Sequence, residues 1–350
     1  MFTIEMLPAQ RGDALWLTYG EPPDLHYVLI DGGPKETLAT LVPTLEDRID
    51  RLGDGVNRVE LLTITHIDTD HIQGVASLLS DHSRVKLFRD VWFNGHRHLG
   101  LLGGVDGERL TSALAPNHRR WNRAFGGRAV VLSTAGRLPR KKLRGGLELT
   151  LLSPTPDGLA RLAPKWQREC EKAGIVPGKG AEVPRSWRRE RLLGLNLGTW
   201  AAKRYQRDRA EANGSSIAFI ATYGGKSVLC AGDAHSEVLE QSLDRLGPGP
   251  HTFTAVKVSH HGSRANTSPG FLERVRSRNW LLSTNGARFS HPSPETIARI
   301  ATTQHKPIFH LNYVTPYVAD VIEGAGDEYS VKLPRKRAGV FQEGVVVRLA

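Results

Sequence analysis

The sequence is poor in sulfur and in long apolar runs, and each shortage removes a class of protein. Two cysteines, Cys170 and Cys230, in 350 residues cannot form the cross-linked framework of a small secreted domain, so a reducing, cytoplasmic setting is the expectation. Cys230 lies in the run Ser227-Val228-Leu229-Cys230-Ala231-Gly232, which reads as a buried strand and places the thiol in the core rather than at a metal. No stretch stays apolar for the roughly 18 residues that a spanning helix needs. The opening Met1-Phe2-Thr3-Ile4-Glu5-Met6 has neither the basic start nor the apolar run of a signal peptide. Acids are also short. The 36 Asp and Glu face 47 Lys and Arg, a formal net charge of +11, with an isoelectric point near 9.8. A balance this basic favours an anionic partner, nucleic acid first. No internal repeat is visible.

What is present is an ordinary soluble composition, 39% hydrophobic, and the expectation is one domain over residues 1–350. Strand-like runs fall at 2–7, 14–19, 26–30, 59–64 and 85–93. A helix is read over 36–52, where Leu38, Leu41, Leu45, Ile49 and Leu52 recur at helical spacing; Pro43 is expected to delay its start. A second series follows, with strands at 147–152, 217–222, 227–230, 253–258 and 279–283. Gly224-Gly225 turns one hairpin. Helices are read at 159–173, 235–246, 271–276 and 294–303. Periodicity is weak at about 94–145 and basic residues crowd about 158–212; both stretches are read as insertions.

Ligand-type residues stand where these strands stop: Asp31, the 66–71 segment, Asp233, His260 with His261, and His291. Strand ends converging on one edge are what a two-sheet sandwich with helices outside would produce, and loops at such an edge commonly carry function. The richest is His66-Ile67-Asp68-Thr69-Asp70-His71. Alternate residues of an extended backbone share a side, and His and Asp side chains so gathered can hold one or two divalent cations. A polar loop in which Asp70 merely caps the next helix is the plainer alternative.

Taken together these residues resemble the metallo-β-lactamase superfamily, and more closely the soluble hydrolase domain of the ComEC family of DNA-uptake proteins. The superfamily loop is His-x-His-x-Asp-His; the ComEC-like form has Asp second, as in His66-x-Asp68-x-Asp70-His71. Further matches are Ala9-Gln10-Arg11-Gly12-Asp13 (partial), Asp31-Gly32-Gly33, Asn213-Gly214-Ser215-Ser216, Gly232-Asp233, His260-His261-Gly262-Ser263 and His291-Pro292, in order along the chain. The membrane channel that accompanies the hydrolase in ComEC proteins has no counterpart in these residues, and the basic insertions have none in the family pattern.

The resemblance implies an α/β, four-layer αββα sandwich with a dinuclear site at one edge. His66 and Asp68 would hold one ion. Asp70, His71 and one of His260 or His261 would hold the other, and Asp233 would bridge them. Asp70 would also orient the hydroxide that two cations activate, and His291 would bind phosphate or protonate the leaving oxygen. Asp31 would brace the ligand loop. The third motif, where the superfamily supplies another histidine, offers Asn213, Ser215 and Ser216. Oxygen-rich ligation then lets Mn²⁺ or Mg²⁺ compete with Zn²⁺. Substrate contacts are expected from Asn213, Ser216, Ser263, Arg188, Arg189, Arg204 and Arg207, with Trp187, Trp200 and Tyr205 either packing helices or stacking bases. His235 reads as a helix-start residue; His96, His98 and His118 read as surface residues. The activity expected is a metal-dependent phosphodiesterase or nuclease acting on DNA. The alternatives are a hydrolase of a small anionic ester such as a cyclic nucleotide or lactone, and a non-catalytic metal-binding scaffold.

Overall fold

The computed structural model describes residues 1–50, 59–98, 105–172, 197–288, 290–337, 340–341 and 344–350. The first half of the chain supplies Phe2–Met6 (β1), Leu15–Glu21 (β2), Asp24–Ile30 (β3), Val59–Thr63 (β4) and Phe88–Trp92 (β5). The second half supplies Arg140–Lys142 (β6), Glu148–Ser153 (β7), Ala218–Tyr223 (β8), Lys226–Cys230 (β9), His251–Lys257 (β10), Val275–Leu282 (β11), Ile308–Leu311 (β12) and Ser330–Lys332 (β13). A ribbon pairs Lys336–Arg337 (β14) with Val340–Phe341 (β15), and Val345–Arg348 (β16) returns to pair with β1. Among the described residues, one sheet has the order β16-β1-β2-β3-β4-β5 and the other β13-β12-β11-β10-β9-β8-β7-β6.

Side-chain alternation decides what each sheet face covers. Along β2, Leu15, Leu17 and Tyr19 enter the core shared with the second sheet, while Trp16 between them enters the outer core. Successive residues of a strand point to opposite faces, so a strand between two apolar layers must be apolar on both. The outer core lies under Leu38–Asp50 (α1), Thr69–Leu78 (α2), Val105–Leu114 (α3) and Pro156–Lys172 (α4), through Leu45, Ile72, Val75, Leu110, Leu162 and Trp166. Beyond the short helices Leu197–Ala201 (α5) and Glu211–Gly214 (α6), the far face of the second sheet is covered by Ser236–Asp244 (α7), Pro269–Arg274 (α8) and Pro294–Thr303 (α9), through Leu239, Leu243, Phe271, Ile297 and Ile300; Ala319–Glu323 (α10) follows. The layers are therefore helices, sheet, sheet, helices, the αββα arrangement of the metallo-β-lactamase fold. Truncating a buried leucine at the sheet–sheet contact, Leu17 for example, would cost about 2–5 kcal/mol.

The sequence reading differs at several places, three of them in the helices of the first half. Helix α1 begins at Leu38 and carries Pro43 inside it; the turn Lys35–Thr37 runs straight into the helix, so the proline removes one backbone hydrogen bond without setting the start. Helix α2 begins at Thr69, inside the 66–71 segment rather than after it. Helix α3 lies within 94–145, read as patternless; its signal is the short stripe Leu110, Ala113 and Leu114, all buried. No helix among the described residues is long and apolar enough to cross a membrane.

Candidate metal centre

Parallel pairing brings the strand ends together. Strand β3 runs parallel to β4, with Ile30 opposite Thr63, so Asp31 and the 65–71 segment emerge side by side. Strands β9, β10 and β11 are also parallel, with Cys230 opposite Lys257 and Lys257 opposite Leu281. Asp233, His260, His261 and Ser283 therefore leave the second sheet at a common edge. Two close approaches require glycine. A Cβ at Gly12 would collide with the Asp70 carbonyl, and Gly232, at φ +52°, would meet the Ser216 hydroxyl.

Four imidazoles surround one carboxylate oxygen. Asp233 Oδ2 lies 3.4 Å from His71 Nε2, 3.7 Å from His66 Nε2, 3.8 Å from His260 Nε2 and 3.9 Å from His261 Nε2. Each ring is oriented through its other nitrogen. His66 Nδ1 meets Thr65 Oγ1 at 3.0 Å, His71 Nδ1 meets Asp31 Oδ2 at 2.8 Å, His261 Nδ1 meets the Ser283 carbonyl at 2.9 Å, and His260 Nδ1 meets Asn266 Oδ1 at 3.0 Å. With Nδ1–H donating, each Nε2 offers a lone pair. This is how metal-ligating histidines are held. His71 and His261 then face each other with two lone pairs at 3.2 Å, a contact that needs a proton or a cation between them.

The donor set fits divalent cations. His66 Nε2 and Asp233 Oδ1 are buried and make no hydrogen bond, although the two side chains are only 0% and 3% exposed. Asp68 Oδ2 lies 3.8 Å from His66 Nε2, and Asp70 Oδ2 lies 3.7 Å from His261 Nε2. Ligands about 2.1 Å from one ion stand about 3.0–3.4 Å apart, so a contraction of a few tenths of an ångström closes these pairs. His66, His71 and Asp233 offer ligand atoms within 4.8 Å of one another, and so do Asp13, His71 and His261. In the second group Asp13 is already paired with the buried ammonium of Lys257, so it acts as an orienting residue beside His261 Nδ1, 3.4 Å away.

The electrostatics also favour positive charge at this centre. Burial works against the charged form of His71, but Asp233 and Asp31 raise its pKa well above the ordinary histidine value. Burial likewise opposes charge on His260, yet Asp233 and Asp208 lift it to about 9. His66, buried and next to His71, is pushed down. Asp233 is held well below the carboxylate range: burial raises it, and His71, His260 and His261 outweigh that. Asp70 is lowered in the same way, His71 and His261 prevailing over burial.

Other residues singled out in the sequence fall in distinct places. The helix after the loop is capped by the backbone of Asp68, without a side-chain capping bond; Asp70 sits in its first turn, so the plain capping alternative for Asp70 does not hold. Asp68 reaches Lys165 Nζ at 3.7 Å. Asp31 Oδ1 accepts from Thr65 N at 2.8 Å and Oδ2 from Thr65 Oγ1 at 2.7 Å. His291 stacks edge-on to His260, ring centres 5.4 Å apart; burial, then His260 and His261, push its pKa well down. Asn213, Ser216 and Ser263, expected at the substrate, are 2%, 0% and 5% exposed. Each is engaged internally: Asn213 Nδ2 donates to Asp208 Oδ2 at 2.6 Å, Ser216 Oγ accepts from Asp233 N at 3.0 Å, and Ser263 Oγ accepts from Ala265 N at 3.2 Å, which leaves Asn213 Oδ1 buried without a hydrogen bond. Arg188, Arg189 and Trp187 lie outside the described residues. Arg204 and Arg207 are exposed. Trp200 has Lys203 Nζ 3.3 Å from its ring centre, and Tyr205 donates to the Ala265 carbonyl at 2.9 Å, so both are engaged within the fold. His235 caps α7 and meets the Ala210 carbonyl at 3.0 Å. His98 packs edge-on to Trp121, half-buried rather than on the open surface.

Three participants escaped the sequence reading. Asp13 and Lys257 form a buried pair under His261, and Asp208 anchors Asn213 and Asn266 beside His260. Asp13 stood within the matched Gly12-Asp13 pair; Asp208 lay inside a stretch read for its cations, and nothing local marks it.

No family model and no curated protein matches the chain. Solved structures do. Zn²⁺-bound PqqB from Methylobacterium extorquens aligns over 99% of this chain and 100% of its own at 13% identity, with a TM-score of 0.38. A subclass B3 metallo-β-lactamase from a soil metagenome library, MEM-A1, aligns over 74% and 81% at 15% identity and 0.30. A metallo-β-lactamase motif mutant from Cronobacter sakazakii aligns over 69% and 70% at 12% identity and 0.29. These similarities are distant; the layer order and the strand register define the architecture.

Proposed function

We propose that the protein is a metal-dependent hydrolase that cleaves phosphodiester bonds, with DNA as its substrate. The observation that carries the reading is the set of four anchored imidazoles around Asp233, flanked by Asp68 and Asp70. Bound divalent cations there supply Lewis acidity and a water of lowered pKa. Asp70, 7% exposed at the head of α2, would orient that water, and His291, next to His260, would contact a phosphoryl or leaving oxygen.

The choice of an anionic polymer rests on the surroundings. The segment with Lys203, Arg204 and Arg207 is fastened to the metal loop: Asp208 N donates to the Ala265 carbonyl at 3.0 Å, and Arg299 donates to the carbonyls of Lys203 at 3.0 Å and Arg264 at 2.9 Å. The exposed residues Arg204 and Arg207 thus lie on a segment tied to the loop that follows His260 and His261, on a chain of net charge +11. Phosphate contacts of this kind make binding strongly salt-dependent.

The test is turnover with Mn²⁺ on linear and circular DNA, and on the small diester bis(p-nitrophenyl) phosphate, for the wild type and for Arg204→Glu/Arg207→Glu. The expected result is chelator-sensitive cleavage of both substrates by the wild type. The variant should lose DNA cleavage and about two units of salt slope and keep the small diester. Turnover of the small diester with none on DNA would replace this reading with the small-ester hydrolase.

A further inference from the structure

We propose that the adjacent histidines serve different cations. His261 joins Asp70 and His71, His260 joins His66 and Asp68, Asp233 stands between the two, and Asp208 is the positioning residue that holds His260 in place. The inference rests on the metal-dependent reading above and adds to it a ligand for the ion that lacks a third-motif histidine.

The backbone makes the division possible. Along a strand, neighbouring side chains would face opposite ways. His260 and His261 instead both adopt left-handed conformations, φ 47° and 53°, which non-glycine residues rarely take. Such strain persists where the surroundings enforce it and concentrates at functional sites. Here it turns both rings toward Asp233 Oδ2, at 3.8 Å and 3.9 Å from their Nε2 atoms. The two differ in what else they meet. His261 Nε2 lies 3.7 Å from Asp70 Oδ2 and 3.2 Å from His71 Nε2. No such contact to Asp70 or His71 is made by His260, whose Nδ1 is held by Asn266 and whose Nε2 shares Asp233 Oδ2 with His66.

Behind His260 stands a built support. Asp208 Oδ2 accepts from Asn213 Nδ2 at 2.6 Å and from Asn266 Nδ2 at 2.9 Å, Asp208 Oδ1 accepts from Ala210 N at 2.8 Å, and the carboxylate lies 3.6 Å from His260 Nδ1. Asn266 Oδ1 in turn fixes the imidazole with Nδ1–H as donor. A carboxylate acting through an amide on a histidine, with Nε2 left for a metal, is the arrangement that orients ligands and tunes affinity. It also gives Asn213 a role at the third-motif position: its amide nitrogen goes to Asp208. Its Oδ1, buried without a hydrogen bond, is the competing ligand atom. A nitrogen from His260 shifts that ion toward Mn²⁺ and Zn²⁺ and away from Mg²⁺.

The experiment counts metal, independently of turnover. Full-length protein is stripped with chelator, titrated with Mn²⁺ and assayed for bound ions by elemental analysis and for spin coupling by electron paramagnetic resonance. The wild type should bind two coupled ions. His260→Ala and His261→Ala should each bind one, without coupling, and Asp208→Asn should weaken one of the two sites about 10–100-fold. If His260→Ala does not fold, His260→Gln, which fills similar space, is read the same way. Two ions retained at wild-type affinity in the His260 variant would overturn the proposal, as would loss of an ion from Asn213→Ala with none lost from His260→Ala. A wild type that takes up no divalent ion would instead overturn the metal-dependent reading itself.

Discussion

Replacing Asp31 by Asn changes one atom in a fully buried side chain, and its consequences can be worked through from the hydrogen bonds. Asp31 accepts three: from Thr65 N at 2.8 Å, from Thr65 Oγ1 at 2.7 Å and from His71 Nδ1 at 2.8 Å, the last two at the same oxygen. An amide in the orientation that keeps the Thr65 N bond points its NH₂ group at His71 and at the Thr65 hydroxyl. The hydroxyl can rotate. The imidazole can only move its proton from Nδ1 to Nε2, which removes the lone pair that faces Asp233. The backbone is no obstacle, because Asp31 sits at φ 59°, a region asparagine tolerates. The folded state should lose about 1–3 kcal/mol, the usual cost of disrupting a charged, buried hydrogen bond. Metal affinity should fall about 10–100-fold, as for other residues that orient a ligand, or about 1.4–2.7 kcal/mol. The two effects separate experimentally: urea unfolding of chelator-treated protein reports the first, and competition against a fluorescent chelator reports the second. Unchanged affinity in a folded Asp31→Asn protein would refute the claim that His71 binds through Nε2 under Asp31's control.

Further expectations follow from other contacts. Lys257→Met should destabilise the protein by about 3–5 kcal/mol, since it leaves Asp13 charged and unpaired in the interior; both residues are within 1% of complete burial, and a chevron or urea curve reads the loss. His310 is buried on β12, with its Nε2 3.0 Å from Asn279 Oδ1, and burial, aided by Lys332, pushes its pKa down to about 4. The unfolded state, with a histidine near 6.5, takes up this proton first, so stability is fully present above about pH 6.5 and falls by up to about 3 kcal/mol as pH drops toward 4. Stability curves of wild type and His310→Asn should therefore converge as the solution is acidified; parallel curves would remove His310 as the cause. His291→Ala should lower turnover about 10²–10⁴-fold, the range for a lost acid–base or phosphate contact, with normal metal content by elemental analysis; loss of metal would make His291 a ligand.

The strands could be read from sequence because their alternation is local. Leu15, Leu17 and Tyr19 against Trp16 already carry the two-sided burial of β2. The 66–71 loop was legible for the same reason: its ligand-type side chains are neighbours in the chain. What local pattern does not contain is partnership across distance. Asp13 and Lys257 are 244 positions apart, and neither has a signature beyond its own turn or strand. Asp208 was hidden by its neighbours, since a stretch dense in arginine invites a reading for charge and conceals a single carboxylate that serves the site. Asn213 and Ser216 show the reverse case. Their motif places them near the centre, but only the packing shows them facing inward, where they brace Asp208 and Asp233.

Asp233 reaches His66 and His71 from one sheet and His260 and His261 from the other. An ion bound there would add a clasp between two layers that meet through an apolar core and through polar ties such as the Asp13–Lys257 pair. Neither layer carries the whole donor set, so the unfolded chain cannot reproduce the site, and every increment of binding energy is an increment of cohesion between the sheets. At a free-ion concentration 100 times the dissociation constant, one such ion adds about 2.7 kcal/mol to the unfolding free energy. With such an ion bound, a melting temperature recorded for this chain would be a joint property of polypeptide and ion, with a value fixed only when the free metal concentration is fixed as well.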